Sequence, residues 1–304
     1  MGRGRGLFKI ALRAIGGGEK AMDAQTVAVI TPAYRAQATI GATVRSVLAQ
    51  THGAFEHHII SDDGVDYREL LAGMGIADPR LRFHSSGKVG GGSTRARNMV
   101  LDTLATPYAA LLDADDRFKP QKLERAVAAL EHRPIVATAL EVMSADFISL
   151  RTVGAGPDRV LRASEHKWVS LSMDTMLVWD RRRADARYDP DLPNMTDLDF
   201  LMGLYRTAES EMYLGTPLHD YVKISSSMSN GAGFTERMIH SKTLLLKRLE
   251  EGFYPMADPA ATEAIAAFLR LSLEAEKLYP QVLAQRPGAL FEDTIEPMIR
   301  AAGH

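Results

Sequence analysis

The stretch Tyr108–Asp116, reading Tyr-Ala-Ala-Leu-Leu-Asp-Ala-Asp-Asp, constrains the fold more than any other part of the chain. An unbroken apolar run of this length suits a strand covered on both faces, and such strands belong to sheets layered between helices. The run then delivers Asp113, Asp115 and Asp116 to one point. In open α/β sheets, ligands bind beyond the carboxyl ends of the strands. Carboxylates gathered there repel one another unless a cation or base compensates. A hard divalent ion, Mg²⁺ or Mn²⁺, takes oxygen ligands and bridges to phosphate oxygens. The same residues also suit a solvated, capped turn ahead of a helix that Pro120 opens. Alternation along an extended end predicts Asp113 and Asp115 on one side and Asp116 turned away.

Strand and helix signals alternate around this run. Thr26–Ile30, Phe55–Ser61, Arg80–His84 and Pro107–Leu112 read as strands. Thr39–Gln50, Tyr67–Met74, Ser93–Leu104 and Pro120–Leu130 read as helices, the first with Ile40, Val44, Val47 and Leu48 at helical spacing. This order predicts an α/β fold with a mainly parallel central sheet flanked by helices. Further on, Ile135–Val142, Phe147–Arg151 and Thr175–Trp179 read as strands, Asp197–Tyr205 as a helix, and Tyr213–Ile224 as one or two short strands. Thr235–Leu249, Ala261–Tyr279 and Ile295–Ala302 are helical by periodicity. Three segments follow: a basic N-terminal arm over 1–24, an α/β domain over 25–232 and a helical C-terminal extension over 233–304. The stripe Ile265, Phe268, Leu269 and Leu273 suits a core or a homo-oligomer contact.

Composition removes several classes. The formal net charge of −2 gives no global basic field, so no nucleic-acid partner is expected. Cysteine is absent, which excludes disulfides, thiolate metal sites and cysteine nucleophiles and fits a reducing, cytoplasmic setting. No apolar stretch reaches the length of a membrane span. Residues 1–20 carry Arg3, Arg5, Lys9, Arg13 and Lys20 against Glu19, with Leu7, Phe8, Ile10, Leu12 and Ile15 between them. A basic amphipathic segment of this kind suits peripheral contact with the inner face of the plasma membrane. It equally suits a frayed or partner-packed arm.

Other candidates lie at the ends of the predicted strands. Thr31-Pro32-Ala33-Tyr34 follows the first strand, where a hydroxyl and a ring can flank a nucleobase and Pro32 stiffens the turn. Asp62 and Asp63 end the second, placed either to accept from base or ribose or to close an Asx turn. Gly90-Gly91-Gly92 opens a helix carrying Arg95 and Arg97, yet this is neither a P-loop nor a dinucleotide fingerprint. Arg95 and Arg97 sit two apart and cannot share one helix face. Asp197 and Asp199 open a later helix, as caps or as a base that takes a proton from a hydroxyl.

Five elements, taken in order, resemble the family 2 glycosyltransferases and their nucleotide-sugar-binding GT-A fold. They are Val27-Ala-Val-Ile-Thr-Pro-Ala-Tyr34, Ser46-Val-Leu-Ala-Gln-Thr51, Ser61-Asp-Asp-Gly64, Ala96-Arg-Asn98 and Leu111-Leu-Asp-Ala-Asp-Asp116. The resemblance covers roughly Val27 to Asn230 and makes 25–232 the catalytic domain. It implies an inverting transfer of sugar from a nucleoside diphosphate sugar to a hydroxyl. UDP is the implied nucleotide, with GDP or dTDP as alternatives, and the acceptor is a saccharide or a lipid-linked glycan in polysaccharide or glycolipid synthesis. Thr31, Pro32, Tyr34, Asp62, Asp63 and Arg97 would then hold base and ribose. Asp113, Ala114 and Asp115 form the Asp-x-Asp element. Asp115 is the implied Mn²⁺ or Mg²⁺ ligand, with Asp113 on ribose or metal-bound water. Asp197 takes the place of the catalytic base, although Thr196 stands where the family usually has an acidic residue. His219 and Lys223, ahead of Ser225-Ser-Ser-Met-Ser229, match a late loop over the diphosphate. Val65 replaces the usual serine after Asp63-Gly64. A nucleotidyltransferase, or a non-catalytic nucleotide-sugar-binding protein, is the competing reading. The first strand meets Thr31-Pro-Ala-Tyr34 where a nucleotidyltransferase commonly has a glycine-rich loop.

Overall fold

Buried strands and one-sided helices alternate through the first half of the computed structural model, which describes residues 25–170, 176–223 and 234–303. The elements are β1 Val27–Ala33, α1 Ile40–Leu48, β2 Phe55–Ser61, α2 Tyr67–Gly73, β3 Leu81–Ser85, α3 Ser93–Leu101 and β4 Tyr108–Leu111. Then come β5 Arg117–Phe118, α4 Lys122–Leu130, β6 Ile135–Ser144, β7 Ser149–Val153, β8 Arg159–Arg162 and α5 His166–Val169. The chain continues through β9 Val178–Asp180, α6 Thr196–Leu204 and β10 Ser210–Lys223 to α7 Phe234–Glu250, α8 Ala261–Gln285 and α9 Glu292–Ala301.

The strands form one sheet in the order β3-β2-β1-β4-β9-β6-β10-β5, with β7 beside β6 and β8 beside β10. The fold is the expected α/β layering, and its sheet is mixed. Strands β3, β2, β1 and β4 are mutually parallel, whereas β9 runs antiparallel to both β4 and β6. Two reversals restore direction, so β6, and β10 parallel to it, end on the same edge as β1, β2 and β4. That edge gathers the carboxyl ends of these strands, where α/β sheets bind ligands.

Alternate residues of the central strands feed two cores. Val27, Val29, Tyr108, Ala110 and Leu112 pack with Val47 of α1 and Leu123, Ala126 and Leu130 of α4. Ile30, Ala109 and Leu111 face the other way, with Val100 and Leu101 of α3 and Phe200, Leu201 and Leu204 of α6. Leu245 and Leu249 of α7 and Ile265 and Leu269 of α8 join this second core. The stripe in α8 is therefore a core stripe. Phe268 turns to α9, packing with Ile295 and Ile299 and against Trp168 of α5.

Several boundaries differ from the sequence expectation. Tyr213–Ile224 is part of one long strand beginning at Ser210, with register shifts around Pro217. Strands β5 and β8 and helix α5 are too short to show a period. Helix α8 runs through Pro280 to Gln285. The basic arm over 1–24 and the loop Ser225–Ser229 lie outside the described residues.

Candidate functional site

The Asp-x-Asp turn is locked by backbone and by α1 before any ligand is considered. The Leu112 N–H donates to the Ile30 carbonyl at 3.1 Å, and the Asp116 N–H closes the turn on the Asp113 carbonyl at 3.2 Å. Thr43 donates its hydroxyl to the Ala114 carbonyl at 2.9 Å. The Ser46–Thr51 stretch then holds the chain that follows. The Phe118 N–H donates to Ser46 Oγ at 3.1 Å. The Gln50 amide donates to the Lys119 carbonyl and accepts from the Leu123 N–H, each at 2.9 Å. Thr51 bonds Glu124 at 2.7 Å. Two distant sequence motifs are thus one clamp.

The three aspartates point to three different surroundings. Asp113 forms an ion pair with Arg97, which is 3% exposed and lies 5.3 Å from the Tyr188 ring centroid. Asn98 fixes that tyrosine from the next position, donating to its carbonyl at 2.9 Å and accepting its N–H at 3.0 Å. Arg95 faces outward to Asp191 at 2.8 Å, so the two arginines separate as their spacing requires. Asp115 is largely enclosed, and burial raises its carboxyl above the ordinary value. No described side chain donates to it or ion-pairs with it. Asp116 turns inward, accepting from His219 Nε2 and from the Val222 N–H, both at 2.9 Å. Lys122 donates to His219 Nδ1 at 3.0 Å, and all three side chains are fully buried. Burial pushes the Asp116 carboxyl well up and the Lys122 ammonium well down.

His219, expected at a late loop over the diphosphate, is fully buried, and its imidazole joins the Asp-x-Asp turn to α4 inside the protein. Thr31, expected beside the base, is fully buried as well, and its hydroxyl meets His57 Nε2 at 2.9 Å. Pro32 is half-buried within β1, while Tyr34 is exposed beyond it.

Asp62 and Asp63 are both engaged by loops. Asp62 accepts from the Gly91 and Gly92 N–H groups at 3.1 and 2.9 Å. Gly90 and Gly92 have φ of 68° and 98°, the left-handed region that glycine enters without cost. A Cβ on Gly90 would stand 3.9 Å from the Tyr34 ring, so the glycine turn lies beside Tyr34. Asp63 accepts from the Arg35 and Val65 N–H groups at 2.7 and 3.1 Å, from Tyr67 Oη at 3.0 Å and from Ser61 Oγ at 3.2 Å. Burial alone would raise its carboxyl; these donors outweigh it and hold the group below the usual range. A cleft of about 390 Å³ lies beside it, lined by Ser61, Tyr67, Phe83 and His84, and no residue of the 113–116 turn lines it.

The aspartates of α6 divide their work. Asp199 is buried and accepts from the Asp189 N–H at 2.9 Å and from Tyr254 Oη at 2.7 Å. Burial raises its carboxyl. It fastens the segment after α7 to α6. Asp197 is half-buried in the first turn, where the helix dipole favours negative charge. Its electrostatic neighbour is Lys167, a buried ammonium that burial lowers to about 8 and that Asp197 supports. Sequence reasoning missed Lys122 and Lys167, because a lysine on an apolar helix face carries no signal of what it meets. Lys223 ends β10 opposite Ser144.

The donor set suits a hard cation held sparingly. Among the described residues, no three acidic or histidine side chains converge on one point. Mg²⁺-type ions are commonly held by one or two carboxylates plus substrate phosphates. Asp115, half-buried and without a side-chain partner among the described residues, is such a carboxylate, while Asp113 pairs with Arg97.

Residues 28–153 match the family profile described as "Glycosyl transferase family 2". The chain is 27% identical over 207 residues to a putative teichuronic acid biosynthesis glycosyltransferase, TuaG, of Bacillus subtilis, covering 67% of this chain and 81% of that one. It is 32% identical over 107 residues to the UDP-Glc:alpha-D-GlcNAc-diphosphoundecaprenol beta-1,3-glucosyltransferase WfgD of Escherichia coli, covering 35% and 42%. In shape it is similar to S. aureus TarS 1-349 in complex with UDP-GlcNAc, with a TM-score of 0.65 at 16% identity over 88% of this chain and 77% of that one.

Proposed function

We propose that this chain, whose residues 28–153 match the glycosyl transferase family 2 profile, is a glycosyltransferase of that family that moves a sugar from a UDP-linked donor to a hydroxyl of a saccharide or lipid-linked acceptor, with inversion, in cell-surface polysaccharide synthesis. The observation that carries this reading is the half-buried carboxylate of Asp115 beyond the carboxyl end of β4, without a side-chain partner among the described residues. The relatives support the donor and the setting: one is named for UDP-Glc and a diphosphoundecaprenol acceptor, another for teichuronic acid synthesis.

Asp115 would hold Mn²⁺ or Mg²⁺, which would supply Lewis-acid stabilisation of negative charge on the departing diphosphate. The protein's own residues do the rest. Arg97 holds Asp113 oriented beside the ribose. Tyr34 and the Gly90–Gly92 turn flank the base, and Asp62 fixes that turn through two backbone N–H groups. Asp197 accepts the acceptor proton on its carboxylate as the hydroxyl oxygen attacks the anomeric carbon from the face opposite the nucleotide. Lys223 stands at the end of β10 to meet diphosphate charge. Holding both reactants in line supplies much of the rate.

The test is a thermal-shift and calorimetric screen of UDP-, GDP- and dTDP-sugars with and without Mn²⁺, on the wild type and on Asp115→Asn. The reading requires a metal-dependent stabilisation by one nucleotide sugar that Asp115→Asn loses. Metal-independent binding that survives this substitution would overturn it. Binding of a nucleoside triphosphate in place of a nucleotide sugar would favour nucleotidyl transfer.

A further inference from the structure

A second cleft lies on the face of the sheet that the C-terminal helices cover. It measures about 250 Å³ and is bounded by β7, α5 and α9. Two guanidinium groups line it. Arg151 of β7 ion-pairs with Glu296 of α9, and its buried Nε has no hydrogen-bond acceptor. Arg300, in the last turn of α9, is exposed, and none of the ion pairs among the described residues includes it. With Glu296 neutralising Arg151, the cleft keeps one net positive charge. Trp168 forms a wall, held edge-on against Phe268 with ring centroids 5.7 Å apart and planes at 84°. Ile299 supplies apolar floor.

Strand register ties this cleft to the candidate active edge. Arg151 pairs with Val142 of β6, and Val142 pairs with Tyr221 of β10. The backbone of Arg151 is therefore two strand spacings from Tyr221, roughly 10 Å. The next residue, Val222, donates its N–H to Asp116 of the Asp-x-Asp turn. Val142 and Val153 share one apolar cluster against which Tyr221 packs, so these rows face the same side of the sheet.

An aromatic wall, a little apolar floor and planar guanidinium forks suit a sugar ring that bears an anion. The ring's apolar face lies on the indole, and the fork takes carboxylate or phosphate oxygens in pairs. We infer that this cleft is an acceptor subsite holding an anionic unit of the acceptor glycan, a carboxylate- or phosphodiester-bearing sugar or polyol. The inference rests on the reading of the chain as a glycosyltransferase with a saccharide acceptor. It adds the charge of that acceptor and assigns the C-terminal helices a part in choosing it.

Calorimetry on the full chain tests this with three probes of matched length: an oligoglucuronate, an oligo(glycerol phosphate) and a neutral cello-oligosaccharide. Each is titrated into the wild type, Arg300→Glu and Arg300→Lys, with UDP and Mn²⁺ titrated into the same preparations. Arg300 is exposed, so both variants should melt as the wild type does. One anionic probe is expected to bind, to weaken about tenfold or more in Arg300→Glu, and to recover in Arg300→Lys. Which anion binds identifies the carboxylate or phosphodiester source. Binding of neither anionic probe, equal binding of the neutral one, or an Arg300→Glu affinity within twofold of wild type would overturn the inference. Loss of UDP binding in the wild type would defeat the donor reading alone, because the oligomer titrations need no nucleotide.

Discussion

At the scale of the residue, the candidate site separates carboxylates that hold structure from those left for chemistry. Asp62, Asp63, Asp116 and Asp199 each accept two or more hydrogen bonds from the protein, whereas Asp115 accepts none from a described side chain. Asp197, half-buried beside Lys167, is the proposed base. Asp197→Asn keeps the size and removes proton affinity, and positioned bases typically contribute about 10²–10⁴-fold. Turnover should fall by that range with donor affinity unchanged; steady-state transfer kinetics beside donor calorimetry check it, and unaltered turnover would remove Asp197 from the mechanism. His57 yields a second expectation. Burial, then neighbouring His58, lowers its imidazole from 6.5 to about 3. Below pH 6.5 the unfolded chain binds a proton that the folded chain refuses. Stability present above pH 6.5 is therefore lost as pH falls toward 3, by at most about 1.4 kcal/mol per pH unit for this site. Urea denaturation between pH 4 and 8 should show that slope, and His57→Gln should flatten it. The carboxylates were legible because each stands at the end of a recognisable strand or helix, and Arg97 because it follows the glycine turn that opens α3. The burial of Thr31 and His219 was not, because their partners His57 and Lys122 lie 26 and 97 positions away.

At the scale of the element, α1 does more than cover the sheet. Its apolar face packs inward through Ile40, Val44 and Val47, while Thr43, Ser46, Gln50 and Thr51 hold the backbone from Ala114 to Leu123. The Asp-x-Asp turn thus inherits its geometry from a helix about seventy residues earlier in the chain. Gln50 is the tightest point, buried and bonded to three main-chain groups, the Ser46 and Lys119 carbonyls and the Leu123 N–H. Gln50→Leu keeps the apolar stem and strands an N–H and a carbonyl, which costs about 1–3 kcal/mol. Chemical denaturation should report that loss, and the clamp predicts weaker Mn²⁺-dependent donor binding alongside it; a destabilised variant with full donor affinity would show that α1 supports the fold without shaping the turn. The period of α1 was plain in the sequence. The direction of β9 was not, since a three-residue strand shows no polarity to its neighbours, and that one strand makes the sheet mixed.

At the scale of the whole molecule, the change of pattern at residue 233 does not mark the end of a core. Leu245, Leu249, Tyr254, Ile265 and Leu269 complete the cluster that Trp179, Phe200, Leu201 and Leu204 begin. Polar ties cross the same boundary: Tyr254 to Asp199 at 2.7 Å, Arg248 to Asp189 at 2.7 Å, and Arg162 to Asp258 at 2.6 Å. Within the helices, Lys242 and Glu276 form a buried pair at 2.6 Å that is stable only while both partners are present. A chain cut after residue 233 would expose the apolar face of α6 and leave Asp199 without its tyrosine. Fully burying a large apolar side chain stabilises by about 1.5–3 kcal/mol, and losing several such burials exceeds the total stability of an ordinary domain. The truncated chain should therefore show no cooperative thermal transition and should bind a hydrophobic dye at neutral pH, whereas the full chain melts sharply. A truncated chain that melts cooperatively and still binds nucleotide would mean that the helices are a separable appendage, and that the sheet buries enough on its own to hold the Asp-x-Asp turn in place.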